Sequence, residues 1–541
     1  MLMRHILPSP WTGLILLVLL TPMVVLVSYI FTENTRVMYL WQYGLLQNDL
    51  GNTLLLACGA AGLSLLLAVP AAWLQVRYCF PLRRTLNFTH VLPLSIPAYV
   101  LAYVYADLTS FAGPIQTTLR ALVPQQPWLP AIVDMRNLQG AIMVFAFGLY
   151  PYAYLILRRT IKQQGDNWLE VAQSLGSPRT EALLRIALPM LRPALIIAGA
   201  LVVLECLSDL GVAELLGVRT LALRIKVLWL NKGELGSAAV VAFLLFTLSI
   251  AVFIAQRHLQ QRHHSHRTPR PIKRIMLSGV PAVLATLYNM MLPMLGFGIP
   301  VFWLIRQPLS SNAWQDETLW HVAMNSLMTA ILVACIALLV ALALLVKLRF
   351  TNGLENRYGI ALASYGYGTP GLVLALGCIA PAFAIDQLLA RTQEWLGMDP
   401  QAWLAGSLVT LVFALSVRLI AVALAPLDES YQRIAVASDD AARTLGLSTS
   451  GIVWRNHLPH LHPAMATAFL FLFLEALKEL PATLLARPPG FDTLATRFFA
   501  LAGDERIYEA APYALLIIVL SLPVVVLLNR DSSGKVTPVK T

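Results

Sequence analysis

Residues 170–209 return as residues 440–479, every position moved by 270, and 13 of the 40 aligned positions are identical. The identities include Ala172/Ala442, Leu175/Leu445, Gly176/Gly446, Leu188/Leu458, Pro189/Pro459, Pro193/Pro463 and Glu205/Glu475. Polar and helix-breaking positions recur along with apolar ones, which a shared oily composition would not produce. The repeat therefore makes the chain two related halves joined head to tail, each built on the same plan.

Composition decides the surroundings of that plan. With 58% hydrophobic and 12% charged residues over 541 positions, the chain falls far short of the roughly 25% charged residues of a soluble domain. It reads as an all-α integral membrane protein. Runs of about 20 apolar residues, enough to cross roughly 30 Å of hydrocarbon, occur twelve times. They cover 11–30, 53–74, 91–112, 138–157, 191–210 and 238–255 in the first half. In the second they cover 279–305, 322–346, 360–382, 404–425, 464–480 and 513–528. About twelve transmembrane helices in two homologous six-helix halves are thus expected, both halves facing the same way. The corresponding domains are 1–255, a basic linker 256–275, 276–530, and a tail 531–541.

The net charge of +11 is explained by topology. The first span follows Arg4 without a small-residue cleavage site, so it reads as a retained anchor with the N-terminus in the cytoplasm. Arg77, Arg83 and Arg84, then Arg158, Arg159 and Lys162, then Lys347, Arg349 and Arg357 all fall in inward-facing loops on that assignment. Both termini are then cytoplasmic, and no nucleic-acid partner is needed. The linker carries Arg257, Arg262, Arg267, Arg270, Lys273 and Arg274 with His258, His263, His264 and His266, and reads as a solvated basic connector. Cys58, Cys79, Cys206, Cys335 and Cys378 show no paired spacing, so neither disulfides nor a cysteine metal site is expected.

Each repeat opens with an acidic and two small residues, Glu170-Val171-Ala172 or Asp440-Ala441-Ala442, reaches a glycine after three more positions, and ends in Leu-Pro. Gly176 and Gly446 suit a helix end, and Pro189 and Pro459 suit the first turn of the next span. The segments 170–189 and 440–459 are thus expected to form exposed helix pairs. This pattern resembles the cytoplasmic EAA motif of permease subunits in ABC importers: Glu-Ala-Ala, three residues, Gly, nine residues, Ile-x-Leu-Pro. The first copy matches it at Glu170, Ala172, Gly176, Ile186, Leu188 and Pro189. The second has Asp440 for Glu and Asn456 for Ile, but keeps Ala441, Ala442, Gly446, Leu458 and Pro459.

The resemblance implies a type I importer permease fold in a bacterial inner membrane. It implies that both loops couple to two copies of an ATPase subunit, and that a periplasmic binding protein docks outside. The chain contains no Gly-x-x-x-x-Gly-Lys-Ser/Thr loop, so it is expected to bind no cofactor and to leave ATP to the partner subunit. Residues 92–103, 478–485 and 490–497 look like the fused iron(III) permeases, which implies ferric iron as cargo. Thiamine or another small solute is the alternative within the class, and an ion-driven secondary transporter the alternative outside it.

Glu205 and Asp209 lie four apart near the end of the fifth span, and Glu475 and Glu479 take the same places in the eleventh. Two readings stand. Carboxylates held within a membrane face a water-filled path, and four oxygen-rich groups suit a hard trivalent cation. Alternatively they sit at the outer boundary and pair with Lys478, Arg219 or Arg224. The outer loops share Thr220-Leu221-Ala222-Leu223-Arg224 and Thr493-Leu494-Ala495-Thr496-Arg497, now 273 apart. Tyr99, Tyr103 and Tyr105 read as interfacial anchors, and Pro93, Pro97 and Pro370 as kinks or as points where a helix unwinds toward the path.

Overall fold

Inside hydrocarbon a backbone has no water to bond, so an apolar run of this length closes its own hydrogen bonds as a helix. The computed structural model describes residues 10–32, 36–123, 133–164, 185, 188–262, 274–307, 312–350, 359–360, 362–399 and 401–531. In the first half the principal helices are α1 (Pro10–Thr32), α2 (Leu45–Arg77), α3 (Ala98–Leu108), α4 (Leu138–Gln164), α5 (Leu188–Ser208), α6 (Gly211–Leu215) and α7 (Leu235–Arg262). The second half follows with α8 (Val280–Pro293), α9 (Ile299–Arg306), α10 (Glu317–Arg349), α11 (Gly371–Trp395) and α12 (Leu408–Gln432). Then come α13 (Val436–Thr444), α14 (Thr449–Ile452), α15 (Leu458–Lys478), α16 (Pro481–Ala486), α17 (Leu494–Gly503) and α18 (Ile507–Asp531).

Ten helices among the described residues are long and apolar enough to cross a membrane, or eleven if one bent pair counts as a span. About twelve spans were expected, and the other two are α1, an apolar helix of 23 residues, and the third, which is bent. The third is not continuous: Arg83–Ser95 and Ala98–Leu108 meet at 93°. The ninth starts later than its apolar run, because Ser364–Gly368 forms a 3-10 turn before α11 begins at Gly371.

The chain resolves into two compact units that are not the two sequence halves. One gathers Met1–Met38, Ile225–Thr247 and Gln315–Arg497. Within it α10, α12 and α15 pack on one another, and α1 lies along α11. Gly377 permits that approach, since a Cβ there would fall on the Pro22 carbonyl, and the Tyr365 hydroxyl donates to the Leu19 carbonyl. The other unit gathers Tyr39–Arg224, Leu248–Trp314 and Phe498–Thr541. Its centre is α2 against α4 and α5, with Ala68, Ala72, Tyr150, Tyr154, Leu157 and Ala198 buried between them.

Segments of the second half complete this second unit. The Tyr288 hydroxyl donates to the Leu67 carbonyl at 2.9 Å, and the Trp303 indole donates to Asp107 at 2.7 Å. Buried His90 Nε2 meets the Asn289 side-chain amide oxygen, Oδ1, at 2.9 Å. Where the linker ends, Ile275–Met276 (β2) runs parallel to Tyr78–Cys79 (β1). His263, His264 and His266 lie outside the described residues.

Candidate functional site

The repeat reappears as duplicated geometry in the outer half of the sequence pattern, within each unit separately. Proline disfavours the helical region for the residue before it, so a helix reaching Pro97 or Pro370 must break one residue earlier. Both do. A 3-10 turn, Leu92–Ser95 or Ser364–Gly368, leads to an extended residue, Ile96 or Thr369, and the proline then starts α3 or α11. The hydrogen bonds correspond at an offset of 273: Ile96 N–H to the Pro93 carbonyl and Thr369 N–H to the Gly366 carbonyl, then Val100 to Pro97 and Val373 to Pro370. Of the two readings left open for these prolines, the broken helix is the observed one. Broken backbone at membrane depth is tolerated where protein or a cavity covers it.

A short helix packs on the segment after each break, α6 on α3 and α16 on α11. Each short helix is capped by a carboxylate. Asp209 accepts the Val212 N–H at 2.7 Å, and Glu479 accepts the Ala482 N–H at 2.8 Å. Free N–H groups at a helix start favour an anion there. Glu479 also accepts the Thr483 N–H at 2.8 Å, the Thr483 hydroxyl at 2.7 Å and the Arg418 guanidinium at 2.7 Å. Arg418 comes from α12, and its Nη1 and the Glu479 Oε1 both crowd Gly371 at the start of α11.

Of the proposed quartet only Glu479 is buried, and Asp209 is half-buried like the other two. Glu205 is half-buried in the last turn of α5, and Glu475 pairs with Lys478 at 3.4 Å. Arg224 turns instead to Asp49, at 2.5 Å, a partner the sequence reading missed. Among the described residues no group of three or more histidine, cysteine, aspartate or glutamate side chains is placed to hold a metal ion. The tyrosines are not interfacial: Tyr99, Tyr103 and Tyr105 are buried, Tyr99 and Tyr103 beside Phe498, and Tyr105 donates to the Leu295 carbonyl at 2.6 Å. Their rings fill space between helices because α3 is enclosed on nearly every face.

The shared outer-loop strings also mark common structure. Gly217 and Gly490 both hold the left-handed conformation, at φ 68° and 75°. Beyond them Asn52 donates to the Arg219 carbonyl and Thr53 accepts from Leu221 N–H, while Asn325 donates to the Asp492 carbonyl and Ser326 accepts from Leu494 N–H. The second loop is three residues longer between its capping carboxylate and its threonine, and there Arg487 pairs with Asp492.

The second elbow is fully described, whereas Glu170, Ala172 and Gly176 of the first lie outside the described residues. α13 ends in a Schellman turn. The Leu447 N–H bonds the Ala442 carbonyl at 3.1 Å, the Gly446 N–H bonds the Arg443 carbonyl at 2.9 Å, and Gly446 takes φ 81°. Ser448 then caps α14 by accepting the Gly451 N–H at 3.2 Å. A π-helical turn, Val453–His457, leads into α15, so the elbow runs into a membrane-span helix without a break.

Ala442 faces inward, while Asp440, Ala441 and Gly446 face solvent, along with Leu445 at 83% exposure and Trp454 at 72%. Asp440 makes a surface pair with Arg443 at 3.4 Å. The buried acid is its neighbour Asp439, 3% exposed, which sequence reasoning passed over. It accepts from Arg349 at 3.0 Å, from His457 at 2.8 Å and from Asn456 at 3.4 Å. Burial works to raise the Asp439 carboxyl, but the His457 and Arg349 hydrogen bonds and charges outweigh it and hold it below the ordinary range. Asn456, which replaces the motif's isoleucine, also donates to Ser438 at 2.8 Å, so a polar anchor stands where the first copy has an apolar one. The available signal was the pair Asp439 and His457, 18 apart, absent from the first copy.

Comparison with known proteins follows the same lines. Residues 64–265 match the family described as binding-protein-dependent transport system inner membrane component. An Fe(3+)-transport system permease protein of Haemophilus influenzae, FbpB 2, is 24% identical over 539 residues, covering 96% of this chain and 98% of its own. The sulfate transport system permease protein CysT of Salmonella typhimurium is 29% identical over 142 residues, 26% of this chain and 48% of its own. CysW of Escherichia coli, also a sulfate transport system permease protein, is 24% identical over 237 residues, 40% of this chain and 77% of its own.

Proposed function

We propose that this multi-pass membrane protein is a fused inner-membrane permease of the binding-protein-dependent ABC importer class, and that it carries ferric iron from periplasm to cytoplasm by alternating access. A separate ATPase, present in two copies, supplies the energy, and a periplasmic binding protein delivers the cargo. N- and C-termini lie in the cytoplasm. The observation that carries the reading is the second elbow: a short helix with small and exposed apolar residues outward, welded through a π-helical turn to a membrane span. Asp440, Ala441, Ala442 and Gly446, with Glu170, Ala172 and Gly176 in the first copy, are the coupling residues in this reading. An ATPase pushing on such an elbow moves the span directly, because nothing compliant separates them.

Iron rests on the end-to-end similarity to the Haemophilus influenzae permease; the sulfate permeases match shorter stretches. Glu205, Asp209, Glu475 and Glu479 stand on the proposed path, Asp209 and Glu479 shaping it as helix caps. In this reading their oxygens order the backbone next to the breaks, and alternation of the broken segments opens and closes the route. The test is reconstitution of the permease with its ATPase and, in turn, an iron-loaded, a thiamine-loaded and a sulfate-loaded binding protein. ATP-dependent accumulation with iron alone is expected. Accumulation of another cargo alone overturns the iron assignment, and accumulation without any ATPase overturns the importer mechanism.

A further inference from the structure

The second elbow is fastened to the membrane helices by a buried polar clamp. Asp439 on α13 joins Arg349, at the end of α10, to His457, in the π-helical turn before α15. The same Arg349 donates to the Ile434 carbonyl at 2.8 Å, just past the end of α12. From α12 itself the Tyr431 hydroxyl meets the other His457 ring nitrogen at 3.1 Å, and Phe350 stacks on that ring at 5.8 Å. His457, Tyr431 and Asp439 are all buried. One carboxylate thereby ties together the elbow and the ends of three mutually packed helices.

At the repeat offset of 270, Tyr431, Asp439 and His457 correspond to Ile161, Leu169 and Ala187. The first copy has neither the acid, the imidazole nor the phenol. A contact between apolar side chains slides at little cost, whereas a charge-assisted bond in a buried site holds one geometry and is strongly opposed to opening. The second elbow is thus held in one geometry.

We propose that Asp439 is the positioning residue of the second elbow: its clamp transmits displacement of α13 to α10, α12 and α15. This inference rests on the elbows being the sites where the ATPase pushes. Asp439 faces away from the surface that presents Asp440 and Leu445, so it acts on transmission of motion, with the docking face left to other residues.

The experiment uses the full permease reconstituted with its ATPase and iron-loaded binding protein, reading uptake and ATP hydrolysis on the same vesicles. Asp439→Asn is expected to lower iron taken up per ATP hydrolysed about tenfold, within the range of a typical coupling free energy, while the ATPase still co-purifies. Asp439→Glu, which keeps the charge, restores most of the ratio. A proportional fall of uptake and hydrolysis, or an unaltered ratio, overturns the inference. If Asp439→Asn does not accumulate in the membrane, Tyr431→Phe, which removes one hydroxyl, decides: a lowered ratio supports the clamp and an unaltered one sinks it. Failure of the wild-type permease to stimulate its ATPase on addition of loaded binding protein is a separate outcome. It removes the coupling reading itself, and the inference with it.

Discussion

Replacing Glu479 by glutamine keeps the shape of the side chain and removes its charge, which makes it a sharp test of the capped helix α16. The carboxylate is 2% exposed and accepts four donors, Arg418 and the Ala482 N–H on one oxygen, the Thr483 N–H and hydroxyl on the other. Glutamine has one acceptor oxygen. Turned toward Arg418 and Ala482, it aims its own N–H₂ at the Thr483 N–H, and only the Thr483 hydroxyl can rotate to accept. One buried backbone donor is then stranded, at about 1–3 kcal/mol. Removing one partner of a buried ion pair costs about 3–5 kcal/mol; Arg418, at 16% exposure, recovers part of that by hydration. The expected loss is about 3 kcal/mol, well above the ±0.5 kcal/mol of an ordinary surface change. Equilibrium unfolding of the purified permease in detergent micelles measures it, in a cycle with Arg418→Met. Because the arginine is the charge left uncompensated, Glu479→Gln should cost much less in the Arg418→Met background, with a coupling of at least about 1 kcal/mol. Additive effects, or a single-variant loss below about 0.5 kcal/mol, would refute the capping argument.

Three further outcomes follow from the geometry. Gly446→Ala places its Cβ in open space, so its cost is the left-handed backbone alone, about 1–2 kcal/mol; Gly446→Asn should cost less, and limited proteolysis of the elbow in detergent ranks the two. Gly366→Ala would set a Cβ on the Val417 carbonyl, backbone against backbone in the 3-10 turn before α11, so an overpacking loss of about 1–3 kcal/mol is expected in the same unfolding assay. Asp439 titrates below its ordinary value in the folded chain. Its contribution to stability is therefore complete above about pH 4, the unfolded carboxyl value, and is lost as pH falls through the lower folded value. Acid unfolding below that point should be less steep for Asp439→Asn than for the wild type; parallel curves would remove the carboxylate from the account.

The membrane class, the helical fold and the two-copy plan were legible in the sequence because each rests on quantities that accumulate along the chain: apolar run length and a fixed repeat offset. The breaks at Pro97 and Pro370 were half-legible. Proline's effect on its predecessor is local, yet whether a membrane helix kinks or breaks depends on what surrounds the freed carbonyls. The elbow was found through Gly446 and the Leu458-Pro459 pair, whose backbone demands are local too.

What sequence could not assign was the partner of each charge. Asp440 stood at the motif position and proved to face solvent, while Asp439, one residue away, became the centre of a buried network. A one-residue step turns a helical side chain by about 100°, so the choice between solvent and clamp is made by which helix ends lie beside α13. Likewise Glu479 is a cap because α16 starts two residues on and Arg418 reaches it from α12, 61 residues back. The same logic separated the compact units from the sequence halves: helix packing depends on which faces meet, and α1 meets α11 across most of the chain's length. Composition, run length and repetition therefore determined that this protein is a duplicated helical membrane protein, and tertiary packing alone decided which carboxylates tie its helices together, because electrostatic partnership is a property of distance in space and not of order along the chain.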